Sequence, residues 1–303
     1  MGSIARMKCV IWAGLAAAFV VGCGAAVRDR PAVGAGAASA TNGATSTVAP
    51  VLAAGQPSNA FPEAVQALAA ERVTGALALF DTRDGKLRCS DPARCERGYL
   101  PASTFKIANS IIGIETGVVS DAESPLPWDG KEYENAAWNR DHTLRSAIQV
   151  SCLPCFQRIA RQVGPQRMTE WVTRLDYGNR DASGPVDQFW LHGALRISPL
   201  QQIDFLRRLE SGKLPIQEHT LDVVRDVLTL DVTPSYVLRG KTAAASPPEE
   251  IMEVGWFVGY VELGEQRVFF ATVIDGHAPD VDALAVRRRV TESVLRALGD
   301  LPS

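Results

Sequence analysis

Ser103 and Lys106 are the residues whose types and spacing most directly allow chemistry. They lie three positions apart in residues 101–109, Pro-Ala-Ser-Thr-Phe-Lys-Ile-Ala-Asn, which have the pattern of a helix start. At that spacing a hydroxyl and an amine share one helical face and come within hydrogen-bonding distance. A serine becomes a nucleophile when a neighbouring base removes its proton, and a lysine whose charged form is disfavoured is such a base. Because Ser-x-x-Lys also occurs by chance, the pair needs support from the rest of the chain.

Three segments further along the chain carry side chains that could complete such a site. Ser151 precedes a proline-containing helix start, where a serine is also a common N-cap. Lys241 and Thr242 lie on an expected strand, where a lysine also serves to keep a sheet edge soluble. Trp190 has an indole N–H that needs a partner, whether it lies in a core or in a site. Each residue has a structural explanation by itself, so their order along the chain must distinguish a structural role from a catalytic one.

The composition of the 303-residue chain disfavours several other functions. A formal net charge of −3 disfavours a nucleic-acid partner, because nucleic-acid binding normally requires a basic face. With 46% hydrophobic and 21% charged residues, the chain can form a substantial globular core. We expect no metal site, because none of the four histidines has the spacing of a metal cluster. These histidines are His142, His192, His219 and His277.

The N-terminus has the pattern of a secretory signal peptide over residues 1–22. Arg6 and Lys8 precede an uncharged apolar stretch that ends in small residues. The apolar stretch continues to Val27, so an uncleaved membrane anchor is the alternative interpretation. The sequence Val-Val-Gly-Cys that ends at Cys23 resembles a bacterial lipoprotein processing site. Cys23 is therefore a candidate for lipidation, which would attach the protein to a membrane.

Residues 23–60 consist largely of Ala, Gly, Ser, Thr and Pro and predict a flexible tether. The remaining residues, 61–303, then form one folded domain. Together with the signal peptide, this organisation predicts a protein that is exported to the periplasm of a Gram-negative bacterium.

Export would allow the cysteines to oxidise. Cys89 and Cys95 lie six positions apart in a polar stretch, and we predict a local disulfide between them. Cys152 and Cys155 have the spacing of a redox motif, but they open an apolar helical segment with no thioredoxin-like strand before it. Buried free thiols are the leading interpretation of this second pair, ahead of a local disulfide and of redox catalysis.

The strand and helix patterns predict an α+β fold. Residues 74–89 predict a hairpin with an Asp-Gly turn, and residues 253–274 predict a second hairpin beside a strand at 236–242. Helical patterns occupy much of the chain between them, and a last helix is expected at 281–298. We therefore predict a central antiparallel sheet built from both termini of the domain, flanked by helices, with a helical lobe inserted after the first hairpin. A cleft between sheet and lobe would hold the site.

Taken in order, these segments resemble the class D, or oxacillinase-type, serine β-lactamases from about residue 61 to the end. Class A is excluded, because no asparagine has a glutamate four positions before it and Ser-Asp-Asn is absent. Some base other than that glutamate must therefore activate water. The runs that carry the resemblance are Tyr99-Leu-Pro-Ala-Ser-Thr-Phe-Lys-Ile, Trp128-Asp-Gly, Trp138-Asn-Arg-Asp-His-Thr-Leu, Ser151 with Phe156-Gln157, Tyr177-Gly-Asn179, Phe189-Trp190-Leu191, Lys241-Thr242 and Gly255-Trp-Phe-Val-Gly-Tyr-Val-Glu262.

The resemblance implies a β-lactam substrate, antibiotic resistance and a base made from Lys106. In this family the lysine reacts with CO₂ to give N6-carboxylysine, which requires CO₂ or bicarbonate but no other cofactor. The resemblance further implies that Trp190 donates its N–H to the carbamate. Ser103 would be the nucleophile, and the carboxylated Lys106 would remove its proton and later activate water.

The resemblance also implies the remaining roles. Ser151 would relay a proton to the leaving nitrogen, with Lys241 tuning it. The backbone N–H groups of Ser103 and Ala244 would form the oxyanion hole. The substrate carboxylate would be bound by Thr242 and by Arg287, the first of three consecutive arginines.

The sequence departs from the family pattern on the substrate side of the site. Ala243 replaces the usual glycine after Lys-Thr, and its methyl group would hinder bulky substrates if it pointed into the cleft. Leu153 replaces the usual valine and could restrict the access of water or CO₂ to Lys106. Both are therefore candidate determinants of the substrate spectrum.

Two other functions share the Ser-x-x-Lys and strand motifs. A penicillin-sensing domain is acylated and stops, but such sensors are normally fused to a multi-span membrane part, whereas this chain has one apolar N-terminal segment. A cell-wall transpeptidase or carboxypeptidase would not have the Trp190 and Tyr-Gly-Asn motifs together. The resemblance therefore favours a hydrolase over both.

Overall fold

The computed structural model of the chain describes residues 61–245 and 254–302. The predictions for the signal peptide, for Cys23 and for the tether lie outside these residues. Within the described part of the chain, no helix combines the length and the apolar character needed to cross a membrane.

The order of elements follows the predicted plan of strands at both ends and helices between. The strands are β1 (Val73–Asp81), β2 (Lys86–Cys89), β3 (Pro125–Leu126), β4 (His142–Thr143), β5 (Thr229–Val232), β6 (Val237–Ala245), β7 (Val254–Leu263) and β8 (Gln266–His277). The helices are α1 (Pro62–Ala70), α2 (Pro92–Glu96), α3 (Phe105–Glu115), α4 (Leu144–Gln149), α5 (Leu153–Val163), α6 (Pro165–Arg174), α7 (Pro199–Glu210), α8 (Glu218–Val227) and α9 (Ala283–Ala297). Short 3-10 turns lie at Ala102–Thr104 and Ala136–Trp138.

Six antiparallel strands form the central sheet in the order β2-β1-β8-β7-β6-β5. The first strand pairs with the last, Ala78 lying opposite Ala271, so the two ends of the domain build one sheet. The β1–β2 hairpin turns at Gly85, whose φ of 66° lies in the left-handed region that glycine adopts most easily. The predicted α+β architecture is confirmed.

Each face of the sheet is covered by its own hydrophobic core. Side chains alternate between faces along a strand. On β1, Leu77 and Leu79 face the core beneath α1 and α9. Ala76 and Ala78 face the other core, which contains most of the helical lobe. The domain is therefore a sheet between a thin terminal helix layer and a larger inserted lobe.

Two local disulfides join the cysteines of the domain. Cys89 and Cys95 are paired as predicted. Cys152 and Cys155 are also joined, and their Cα atoms lie 5.4 Å apart, which is within the usual range for a disulfide. The leading interpretation of this second pair as free thiols is therefore wrong. The first turn of α5 brings the two side chains together. The apolar character of the segment, on which the interpretation as free thiols was based, does not reveal this proximity.

Candidate active site

The turn that carries Ser103 continues directly into α3, which carries Lys106. Nζ of Lys106 lies 2.7 Å from Oγ of Ser103, within hydrogen-bonding distance. Ala102, just before Ser103, has a φ of 44°, which is unusual for a residue with a side chain. Its N–H donates to the carbonyl of Trp190 at 3.0 Å. Strained backbone of this kind is characteristic of functional sites, where surrounding contacts hold it in place.

Lys106 is buried on all sides, with 1% of its surface exposed. Its Nζ lies 5.5 Å from the centre of the Phe156 ring. Burial, and secondarily the positive charge of Lys241, hold the pKa of Lys106 well below its ordinary value. Burial therefore favours the neutral form of the amine over the charged form. A neutral amine next to a serine hydroxyl can act as a base or react with an electrophile.

Trp190 is buried and stacks on Phe105, with 5.2 Å between ring centres. Its Nε1–H has no hydrogen-bond partner among the described residues. Two other indoles do have partners: Nε1 of Trp256 donates to the carbonyl of Leu100 at 2.9 Å, and Nε1 of Trp138 donates to that of Val150 at 3.1 Å. A buried donor without an acceptor is unfavourable. The N–H of Trp190 is therefore available to an acceptor other than the described side chains.

Ser151 lies in the turn between α4 and α5 and is partly exposed. Its φ is 53°, again in the left-handed region. The turn is held on both sides, since Val150 accepts the Trp138 hydrogen bond and the N–H of Cys152 donates to Ala147 at 2.8 Å. The N-cap of α5 is Cys152, so the alternative explanation of Ser151 as an N-cap is wrong. Ser151 instead presents its side chain from a strained turn.

Strand β6 packs along the turn that carries Ser103 and brings Lys241 to the same region. Lys241 is 5% exposed, and its Nζ donates to the carbonyl of Thr242 at 2.7 Å. Burial, and then the charge of Arg287, lower the pKa of Lys241 to about 7. Ala244 is exposed, whereas the methyl group of Ala243 is buried in the core on the lobe side. Leu153 is partly exposed at the start of α5, two residues after Ser151.

Arg287 is the arginine of the triple that turns toward the sheet. A Cβ placed on Gly255 of β7 would lie 3.6 Å from Cδ of Arg287, so the arginine stem passes over that glycine. The next two arginines point elsewhere, with Arg288 paired to Glu292 and Arg289 to Glu71. The influence of Arg287 on the pKa of Lys241 places its charge near the strand that also carries Thr242.

A supporting network around the Ser103 turn was not found from the sequence. Nε2 of Gln202 donates to the hydroxyl of Thr104 at 2.9 Å, and both residues are buried. The side-chain amide of Asn109 donates to the carbonyl of Phe156 at 3.1 Å and so ties α3 to α5. Such contacts join positions far apart in sequence. The only signal for them was the presence of polar residues in otherwise apolar helical patterns.

A surface cavity of about 530 Å³ lies elsewhere, between α7 and the sheet. Charged side chains such as Arg207 and Asp204 line it, and it includes none of the predicted site residues. The buried amines and the strained turns, rather than this cavity, therefore mark the site. The histidines had no metal-like spacing in sequence, yet the fold brings His142 within 4.8 Å of the Cys152 and Cys155 sulfur atoms.

Comparison with known proteins agrees with this geometry. Residues 68–296 match the model of the penicillin binding protein transpeptidase domain. The chain is 42% identical to the β-lactamase OXA-48 of Klebsiella pneumoniae over 67% of this chain and 75% of that protein. It is 39% identical to the β-lactamase OXA-10 of Pseudomonas aeruginosa over 76% of this chain and 86% of that protein.

The crystal structure of the class D β-lactamase YbXI from Nostoc superposes with a TM-score of 0.75 at 40% identity. The match covers 78% of this chain and 99% of that one. The fold, the paired Ser103 and Lys106, and the extent of these similarities lead to one conclusion: the chain belongs to the class D β-lactamases, a family of serine hydrolases with the penicillin-binding transpeptidase fold.

Proposed function

We propose that this enzyme hydrolyses the β-lactam amide bond of penicillin-type antibiotics through an acyl-enzyme on Ser103, with Lys106 carboxylated, and that it thereby confers resistance. The observation that carries the proposal is the 2.7 Å contact between Ser103 Oγ and the buried Lys106 Nζ. This contact pairs a nucleophile with a group whose pKa is held far below that of a free lysine.

The carboxylation of Lys106 is supported by two features of its surroundings. Burial lowers the pKa of Lys106 and so favours the neutral amine that attack on CO₂ requires, and the buried Nε1–H of Trp190 lacks an acceptor within the described residues. A carbamate on Lys106 would supply an anionic oxygen base and an acceptor for that N–H. Nothing else is needed as a cofactor in this scheme.

Several residues take part in the acylation step. Ser103 gives its proton to the side chain of Lys106, and its Oγ attacks the β-lactam carbonyl. The backbone N–H groups of Ser103 and Ala244 donate to the developing oxyanion, where losing one donor typically costs about 10²–10³ in rate. Ser151 passes a proton to the leaving nitrogen, and Lys241, with a pKa near 7, can hold or return that proton.

In deacylation the side chain of Lys106 again acts as the base, and Ser103 is the leaving group. A water molecule gives its proton to the side chain of Lys106 and attacks the ester carbonyl, and Ser103 recovers its proton as it leaves. Thr242 and Arg287 would hold the substrate carboxylate during both steps. Ala243 lies two residues after Lys241 on β6 and so on the same face of the strand, which supports it as a determinant of substrate choice. The partly exposed Leu153 is the better candidate for limiting access to Lys106.

Nitrocefin turnover with and without added bicarbonate tests the proposal. We expect many turnovers per enzyme, which slow when CO₂ is removed and recover when bicarbonate returns. The Lys106→Ala variant should lose turnover by about 10²–10⁴ and retain a covalent adduct detectable by intact mass. A single stoichiometric burst from the unaltered enzyme would instead identify a sensor or a transpeptidase that is acylated without efficient turnover.

We also propose export to the periplasm of a Gram-negative host, with membrane attachment if Cys23 is lipidated. The support is the basic, apolar and small-residue pattern of the N-terminus. Expression in a Gram-negative host should raise the inhibitory concentration of penicillins, and fractionation should recover the enzyme from the periplasm or, if lipidated, from membranes. Activity that remains in the cytoplasmic fraction would contradict the export proposal without affecting the chemistry.

A further inference from the structure

A second cluster of reactive side chains lies beside Ser151, and the proposed hydrolysis does not use it. His142, Cys152 and Cys155 are all buried, and one ligand atom from each lies within 4.8 Å of those of the other two. The two sulfur atoms are joined as a disulfide. Two thiolates and an imidazole are the ligand set of three-residue zinc sites, which leave a fourth position for water. Only the disulfide bond keeps the two sulfur atoms from acting as thiolate ligands.

The hydrogen bonds of His142 favour this role. Its Nε2 lies 2.9 Å from the carbonyl oxygen of Ala137, which can only accept, so Nε2 carries the ring proton. Nδ1 therefore has the lone pair, and it lies 3.0 Å from the hydroxyl of Ser146. That hydroxyl also lies 3.3 Å from the carbonyl oxygen of Thr143, to which it can donate, and it must release Nδ1 before a metal binds. A ring N–H donated to a backbone carbonyl is the usual outer contact of a metal-binding histidine, because it fixes the tautomer and the ring orientation.

The position of the cysteines favours thiolates once the disulfide is reduced. Cys152 caps the 11-residue helix α5, and its Sγ accepts the N–H of Cys155 at 3.3 Å. The positive end of a helix stabilises a thiolate, which is the metal-binding form of cysteine. Cys155 also lines a small surface pocket together with Trp128 and Arg158. Cys155 therefore lies at the edge of the protein surface rather than deep in the core.

We propose that reduction of the Cys152–Cys155 disulfide opens a site for one Zn²⁺ ion, bound by both sulfur atoms and by Nδ1 of His142. A dithiol supplies the two electrons and two protons, becoming a disulfide while the cysteines become thiols. Metal binding then forms two zinc–sulfur bonds and releases the two thiol protons to solvent. Breaking the S–S bond lets the sulfur atoms separate to the ~3.7 Å that two thiolates on tetrahedral zinc require.

Cobalt titration tests this site without reference to hydrolysis. The full-length chain is reduced with a phosphine under anaerobic conditions and titrated with Co²⁺, with the untreated chain in parallel. We expect one Co²⁺ per reduced chain, with a thiolate-to-cobalt band in the near ultraviolet that one equivalent of Zn²⁺ removes. The untreated chain should show no such band. Absence of the band from the reduced chain would overturn the proposal.

Matched variants assign the ligands. The Cys152→Ser/Cys155→Ser variant should lose the band, whereas Cys89→Ser/Cys95→Ser, which removes the other disulfide, should keep it. His142→Asn should weaken Co²⁺ binding by about tenfold or more. A band that survives the first variant would refute the assignment.

Because variants can misfold, the reduced unaltered chain is also alkylated with and without Zn²⁺. Zn²⁺ should protect Cys152 and Cys155 in the peptide masses, and equal alkylation of both samples would refute the site.

Discussion

Two buried polar atoms, Nζ of Lys106 and Nε1 of Trp190, are central to the proposed chemistry. Burial, and then the nearby charge of Lys241, lower the pKa of Lys106, and Nε1–H of Trp190 lacks an acceptor among the described residues. Each is unfavourable alone, since a buried amine loses its charge and a buried donor loses its hydrogen bond. One change, the addition of CO₂ to Lys106, would relieve both. Because one modification would satisfy both atoms, the bicarbonate dependence of activity tests the two residues together.

Trp190→Phe should make activity strongly dependent on added bicarbonate. Phenylalanine keeps an aromatic ring against Phe105 but removes the N–H that the carbamate would need, so carboxylation would reverse more readily. Nitrocefin rates measured across a bicarbonate series would show activity rising toward that of the unaltered enzyme. Trp256→Phe is the matched control, because its N–H already donates to a backbone carbonyl. Equal bicarbonate dependence in both variants would contradict the role of Trp190.

The lowered pKa of Lys241 predicts how stability depends on pH. This pKa is about 7 in the folded protein, whereas that of an unfolded chain is about 10.4. Between these values the unfolded state binds more protons, so the free energy of unfolding rises with pH, by at most about 1.4 kcal/mol per pH unit for this residue. Lys106, whose pKa is also lowered, contributes in the same direction.

Lys241→Met should therefore flatten that rise. Urea unfolding between pH 7 and 9, in buffers free of bicarbonate, measures the slope for each protein. The exposed Lys213, changed to methionine in the same way, should leave the slope unchanged. A Lys241→Met slope equal to that of the unaltered protein would mean that Lys241 is not held neutral by the fold.

The way elements meet decides where the reactive side chains lie. Lys106 is on α3, and Ser151 immediately precedes the cap of α5. The side chain of Asn109 donates from α3 to the carbonyl of Phe156 in α5, and Asn109 is fully buried. This hydrogen bond joins the helix that carries Lys106 to the helix that follows Ser151. It links residues 47 positions apart, which no local pattern reveals.

Asn109→Ala should lower both stability and turnover. The substitution removes the hydrogen bond between α3 and α5 and leaves a small buried cavity, which together should cost about 1–3 kcal/mol in the free energy of unfolding. Loosening of α3 against α5 should also reduce kcat for nitrocefin. The exposed Asn135, whose side chain accepts from the N–H of Ala137, provides the control, and Asn135→Ala should cost less. If the two variants lost stability equally, the α3–α5 bond would have no special role.

Elements with strong local signals were predicted from the sequence, and those without them were missed or shifted. The two hairpins combine β-branched and aromatic residues with turn signals, and both are confirmed. Helix α1 was missed because it has only nine residues and its N-cap, Phe61, makes no side-chain cap. The edge strand β5 has only four residues. Helix α5 is capped by Cys152 and not by Ser151, the residue type that usually takes this position.

For the candidate site, the sequence provided the residue types but not their environment. The motif order identified Ser103 and Lys106, and the structure places their side-chain atoms 2.7 Å apart. The burial that lowers the pKa of Lys106 and of Lys241 arises from packing between the lobe and the sheet. The approach of His142 to the two cysteines likewise depends on long-range folding. Spacing alone could not reveal either one.

At the scale of the whole molecule, the two ends of the described domain depend on each other. Helix α1 packs on α9, and strand β1 lies between β2 and β8. The contacts that close the sheet therefore join residues about two hundred positions apart, Val73 with His277 for example. Pairing of this kind makes folding depend on the complete domain, since many non-local contacts must form together.

This dependence predicts a sharp N-terminal limit to the functional domain. A chain that begins at residue 60 keeps every candidate catalytic and substrate-binding residue and the buried Phe61, which is 2% exposed. We expect it to match the full-length protein in Tm and in nitrocefin turnover. A chain that begins at residue 71 loses α1, and with it Phe61 and Leu68 from the core against α9. Removing two such side chains costs more than about 5 kcal/mol, which is comparable to the whole stability of a typical domain.

The shorter chain should therefore fail to unfold cooperatively and should lack activity, although it retains Ser103, Lys106 and the complete lobe. Thermal unfolding followed by circular dichroism, together with nitrocefin assays on both fragments, makes the comparison. If the chain from residue 71 were stable and active, the α1–α9 layer would not support the sheet. If the chain from residue 60 were inactive, residues before the folded domain would contribute to the site, and the boundary at residue 61 would be wrong.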